Sequence, residues 1–221
     1  MVSHSNSISN QLKAIHQVLL EFYEPLHWWP GESKLEIMVG AILTQNTNWQ
    51  NVSKAIQKLK EEGLLDVSAL LLISEESLGK LIKPCGYYNL KARRLKNFIN
   101  FLCYKFDGSV EKLFKTDWQI LREELLKVNG IGPETADSIL LYAGEKPVFV
   151  VDAYTKRIFS RHGYLSGKEN YLEIQHFFMT HLPSDHSLYN EFHAQLVMLG
   201  KDYCKKNNPI CPQCPLFPFL K

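Results

Sequence analysis

The stretch VNGIGPETADSILLYAGEKPVFVVD, residues 128–152, decides how this chain is read. Asn129-Gly130-Ile131-Gly132 is a glycine hairpin. Two glycines let the backbone turn sharply and approach a neighbour closely, and Ile131 can pin the turn to a core. Pro133 suits the first turn of a following helix, where its missing N–H costs nothing. Asp117 to Leu126 reads as a helix capped by Asp117, and a second helix is predicted from Pro133 to Tyr142. Such a helix-hairpin-helix, over about 117–142, presents main-chain N–H groups and a helix start to an anion. It can grip a DNA backbone without reading sequence, or serve as a plain helix–helix turn. Twenty residues after Gly132 stands Asp152, at the end of the apolar run Pro147 to Val151.

Outward from this stretch, the helical period dominates. Leu35, Met38 and Ile42 share one face, Val52, Ile56 and Leu59 share the next, and the pattern continues through Leu70 to Ile73, Leu78 to Ile82 and Ala92 to Phe106. Ser74 is a cap ahead of Glu75 and Glu76, and Gly63, Gly86 and Gly108 punctuate the segments. Residues 147–151 can be extended, but one short run makes no sheet. The prediction is an all-α protein of about ten helices. Of 221 residues, 45% are hydrophobic and 22% charged, as in an ordinary globular protein, and the net charge of +2 gives no large positive field. No run of apolar residues is long enough for a membrane span, and the polar N-terminus lacks the pattern of a signal peptide. A cytoplasmic location is expected, in a bacterial cytosol or nucleoid. Cys204, Cys211 and Cys214 cluster as metal ligands would, while Cys85 and Cys103 lie apart.

With these residues in view, the chain resembles the endonuclease III superfamily of helix-hairpin-helix DNA glycosylases. AILTQNTNWQNVSKA (41–55), GYYNLKARRL (86–95), VVDAYTKRIFSRHG (150–163) and YCKKNNPICPQC (203–214) match its segments in order. HWWPGESKLEIMVGAILTQNT (27–47) and GIGPETADSILLY (130–142) look closest to the 3-methyladenine glycosylases of endonuclease III type. The resemblance implies two helical lobes with the active-site cleft between them. One is a six-helix lobe over 36–146; the other combines 1–35 with 147–221 and carries the cysteine loop 204–214. It also implies a monomer acting on double-stranded DNA that contains damaged bases.

A glycosylase flips a nucleotide out of the stack and breaks its N-glycosidic bond, leaving an oxocarbenium-like sugar. A carboxylate can stabilise that cation and activate a water. Asp152 is the candidate; the same position also reads as the cap of a helix starting at Ala153, and both can hold together. The bifunctional members carry a lysine where this chain has Glu134, and glutamate forms no imine. Glu134 is thus either a pocket residue that contacts the base or orders water, or a first-turn acid suited to the helix dipole. Trp28, Trp29 and Pro30 are the candidate base slot. An alkylated purine is cationic, and stacking on indole adds about 0.5–2 kcal/mol. The alternative is that both tryptophans fill the core. Lys201 is a further base-pocket candidate or a solvated lysine. Gln45 matches the family position that fills the gap left by a flipped base. Asn129, Gly130, Gly132, Thr135 and Arg157 are candidate DNA contacts, with Lys91, Arg93, Arg94 and Lys156 as further phosphate contacts.

The family's cysteine loop holds a [4Fe–4S] cluster on four thiolates. Three positions are matched by Cys204, Cys211 and Cys214, but the fourth is Leu220. This leaves open a labile cluster, an outside ligand, zinc, or a remnant, and in each case a structural role. The expected function is a monofunctional glycosylase for alkylated purines such as 3-methyladenine, without lyase activity. Two alternatives stand: a glycosylase for another damaged or mismatched base, and a non-catalytic helix-hairpin-helix DNA-binding protein.

Overall fold

In a computed structural model of the protein, residues 2–220 are described, with side chains from Ser7 onward. The described residues are all-helical: twelve α-helices, short 3₁₀ turns, one π turn and no strand. They divide into two compact units, one of Met1–Trp28 with Glu145–Lys221, the other of Trp29–Gly144.

Helix α1 (Val2–Tyr23) belongs to the first unit. The second unit begins with α2 (Lys34–Leu43), whose cap Ser33 accepts from the Glu36 N–H at 3.1 Å. Leu35, Met38, Val39, Ile42 and Leu43 are buried, so this helix is apolar nearly all round. Then come α3 (Trp49–Glu61), α4 (Val67–Leu72), α5 (Glu75–Leu81) and α6 (Tyr88–Phe106). Ser74 caps α5, as its sequence predicts. Twelve helices stand where about ten are expected; α7 (Val110–Lys115), six residues long, is too short to show a period of its own.

The hairpin joins α8 (Trp118–Leu126), capped by Asp117, to α9 (Pro133–Ser138). The predicted single helix from Pro133 to Tyr142 is instead broken: after Ser138 the chain widens into a π turn, Ile139–Ala143. All five residues of that turn are buried, a tertiary demand that the apolar period does not signal. A bidentate ion pair braces α8 to α9. Arg122 donates from Nε and Nη2 to the two carboxylate oxygens of Asp137, at 2.6 and 2.9 Å, and Asp137 is fully buried.

The chain then returns to the first unit along Val148–Val151, which is extended without being a strand. Two of its hydrogen bonds are to side chains: Gln175 Nε2 donates to the Phe149 carbonyl at 2.7 Å, and the Val151 N–H donates to the Tyr171 hydroxyl at 3.4 Å. Phe149 stacks on Phe178 with centroids 4.1 Å apart, and Phe159 and Phe192 pack edge-on around Phe178. This segment feeds α10 (Ala153–Arg161), followed by α11 (Tyr171–His181) and α12 (His186–Asp202). Gly200 lets α12 come close to α10, since a Cβ there would lie 2.2 Å from Tyr154 Cδ1.

Candidate active site

Asp152 sits where the extended segment meets α10, and it caps that helix. Oδ1 accepts from the Thr155 N–H at 2.7 Å and from the Thr155 hydroxyl at 3.0 Å, and Thr155 is fully buried. This commits one carboxylate oxygen to holding the group in place. The other, Oδ2, faces His193 Nε2 of α12 at 3.7 Å. Burial holds the His193 imidazole below its ordinary pKa, with Asp152 pulling the other way, so the ring is neutral at neutral pH. Nothing in the sequence marks His193, because a histidine amid the apolar face of α12 reads as core.

In the other unit, the hairpin is built around Gly130, whose φ of 96° is open to glycine at little cost. A Cβ there would also meet Arg94 Cγ at 2.2 Å, so Arg94 lies directly against the turn. Ile131 is buried as predicted, and its N–H donates to the Val128 carbonyl at 3.0 Å. Asn129 and Gly132 are exposed, and Asn97 Nδ2 donates to the Asn129 carbonyl at 3.0 Å. Gln45 is tied to the hairpin: Nε2 donates to the Gly130 carbonyl at 3.0 Å and to the Thr135 hydroxyl at 2.9 Å, while Oε1 accepts from Arg94. Glu134 is exposed in the first turn of α9.

Three expected contacts need correction. Lys91 is no surface charge: it is 1% exposed, and its ammonium donates to the Leu43 and Cys85 carbonyls at 2.9 and 2.7 Å. Those carbonyls close the ends of α2 and of the 3₁₀ turn Lys83–Cys85. Thr135 is buried, so its hydroxyl supports Gln45 in place of an exposed contact. Arg157 spends Nε and Nη2 on the Cys204 and Gly200 carbonyls at 2.7 and 3.2 Å, stapling α10 to the end of α12. Arg93 pairs with Glu75 at 3.2 Å, and Lys156 donates to the Glu169 carbonyl at 2.6 Å. A lone sequence cannot tell a basic side chain that closes helix ends from one that waits for phosphate.

The tryptophan pair is divided between the units. Trp28 carries the Lys201 ammonium 5.9 Å from its ring centroid, within the range of a cation–π contact. Trp29 packs in an aromatic cluster, edge-on to Trp49 and tilted against Tyr142, both at 5.1 Å. Trp49, the first residue of α3, lies in the segment 41–55, where nothing in the sequence marks it as a partner of Trp29. Pro30 is exposed.

Cys204, Cys211 and Cys214 line one cavity together with Arg161, His162 and Leu220. Arg161 Nη1 donates to Cys204 Sγ at 3.3 Å. Among the described residues, no three His, Cys, Asp or Glu side chains stand close enough to hold a metal ion. The four-thiolate cluster of the resemblance does not fit these residues, because Leu220 places hydrocarbon where the fourth sulfur belongs. Among the described residues, no helix is long and apolar enough to cross a membrane.

Comparison with known proteins agrees with this architecture. The model of the HhH-GPD superfamily of base excision DNA repair proteins matches residues 39–184. A Methanocaldococcus jannaschii protein, provisionally named a DNA repair glycosylase, is 49% identical over 93% of both chains. Endonuclease III of Thermotoga maritima is 31% identical over 84% of this chain and 79% of its own. The crystal structure of Helicobacter pylori 3-methyladenine DNA glycosylase bound to 1,N6-ethenoadenine superimposes with a TM-score of 0.75 at 32% identity, covering 89% of this chain and 97% of that one. The helix-hairpin-helix, the aspartate that follows it and these matches have one reading: the chain belongs to the HhH-GPD superfamily of base excision DNA repair glycosylases.

Proposed function

We propose that this glycosylase hydrolyses the N-glycosidic bond of alkylated purines in double-stranded DNA, 3-methyladenine foremost, and that it does so with water as the nucleophile. The observation that carries the proposal is the Asp152 carboxylate, locked through Oδ1 by its own helix cap and left with Oδ2 for chemistry. As the bond to the base lengthens, positive charge grows on the sugar. A fixed carboxylate stabilises that charge without reorganising, and it can take a proton from the attacking water.

Glu134 supports hydrolysis over lyase chemistry. It occupies the hairpin position that carries the Schiff-base lysine in the bifunctional relatives, and a carboxylate cannot form that imine. The substrate class is supported by two further points. The Trp28 ring already attracts a cation, Lys201, by the same force that a positively charged purine would use, and Lys201 would yield that face to the base. The structural neighbour from H. pylori is itself a 3-methyladenine glycosylase. The hairpin around Gly130, kept in shape by Gln45 and Arg94, is the proposed grip on the DNA backbone.

Borohydride reduction tests the nucleophile. Wild-type protein mixed with substrate DNA is expected to give no covalent adduct on a denaturing gel. A trapped adduct would show an amine doing the work and would overturn the hydrolytic reading.

We further infer that the cysteine loop is a structural element that stands without the cluster, held by Arg157 and Arg161. Iron and acid-labile sulfide in protein purified under anaerobic conditions are expected far below the content of a filled [4Fe–4S] centre. Stoichiometric iron and sulfide would contradict this.

A further inference from the structure

We propose that His193 is a positioning residue for Asp152: its imidazole holds Oδ2 in the orientation that the reaction uses. The inference rests on Asp152 being the catalytic carboxylate. The cap fixes Oδ1 through Thr155, but one fixed oxygen leaves the second to be oriented by a charged or polar partner. His193 Nε2 faces Oδ2 at 3.7 Å. The separation is longer than a hydrogen bond, and such contacts often tighten only when substrate is bound. The ring has little freedom to wander. It is 6% exposed, in the middle of α12, and flanked by the buried Phe192, Ala194 and Gln195.

The ring must also be neutral to serve. An imidazolium beside Oδ2 would cancel much of the negative charge that the sugar cation needs. Base release should therefore fall as the pH drops through the lowered pKa of His193, on the acid side of the ordinary imidazole range. The neighbouring titratable groups are otherwise engaged. Helix α12 packs against α10 and α1, and through Phe192 against the uncharged Phe178 of α11 and Phe149. From α10, Asp152 is the charged group acting on the ring, while Lys156, Arg157 and Arg161 are bound to main-chain carbonyls. From α1, His16 is bound to Gln195 and feels Glu191, and Tyr23 donates to Asp202.

Two measurements test the proposal. NMR titration of the His193 ring in wild type and in Asp152→Asn should show a lower pKa in the variant, because the carboxylate that raises it is gone. An unchanged pKa overturns the coupling whether or not any base is released. Single-turnover excision is then followed against pH. His193→Gln keeps an N–H donor that does not titrate, and it should stay within a few-fold of wild type at neutral pH while losing the imidazole's acid limb. His193→Leu should be slower at every pH by about tenfold to a hundredfold, with DNA binding retained. The proposal fails if His193→Gln keeps the wild-type acid limb, or if a folded His193→Leu works at the wild-type rate. Should His193→Leu not fold, the glutamine variant and the titration decide. Asp152→Asn, assayed alongside, separates the two ideas: if it excises base normally, the reading of Asp152 has failed, not that of His193 alone.

Discussion

Asp152→Asn is expected to slow base release by about a hundredfold to a thousandfold, the cost typical of removing one preorganised electrostatic group. DNA affinity and thermal stability should change little. Asparagine keeps the shape of the side chain, and it caps a helix about as well as aspartate, so the Thr155 contacts that begin α10 survive. What it loses is the negative charge that the proposed mechanism sets against the sugar cation. The comparison is single-turnover excision against DNA affinity, measured for the same variant. Near wild-type excision by this variant would make Asp152 a structural cap alone.

Arg122→Ala is expected to have the largest effect on stability. The arginine holds both oxygens of Asp137, a fully buried carboxylate, and ties α8 to α9 across the hairpin. Removing it leaves a buried charge short of its cation, at a cost of about 3–5 kcal/mol. In a protein of this size that corresponds to a fall in Tm of roughly 10 °C. The double replacement Arg122→Met with Asp137→Leu should recover much of the loss, because an apolar pair of similar volume often replaces a buried ion pair at little cost. Thermal denaturation of the three proteins checks this. A shift of only a degree or two for Arg122→Ala would place the pair in effectively solvated surroundings.

Much of the fold was legible because it is local. The Asp117 and Ser74 caps, the burial of Ile131 and the apolar face of α2 follow from a few neighbouring residues, and each stands as expected. The π turn at Ile139–Ala143 was not legible. It arises where a wholly buried helix must fit its surroundings, and its residues suit an ordinary α-helix equally well. Basic residues were the least legible. Lys91, Arg157 and Lys156 look like phosphate contacts in the sequence, yet they close helix ends and loops through carbonyls from distant segments. His193 and Trp49 went unread for the same reason. Their partners, Asp152 and Trp29, lie far away in the chain, and only tertiary packing brings them together.

The central claim is that this protein releases alkylated purines as free bases by hydrolysis. The most direct test is to incubate purified protein with methylated double-stranded DNA and identify the released bases by chromatography. The account predicts free 3-methyladenine, with the sugar–phosphate backbone left uncut at the abasic site and release by Asp152→Asn slower by about a hundredfold to a thousandfold. Release of a different class of base, or of none, would contradict it.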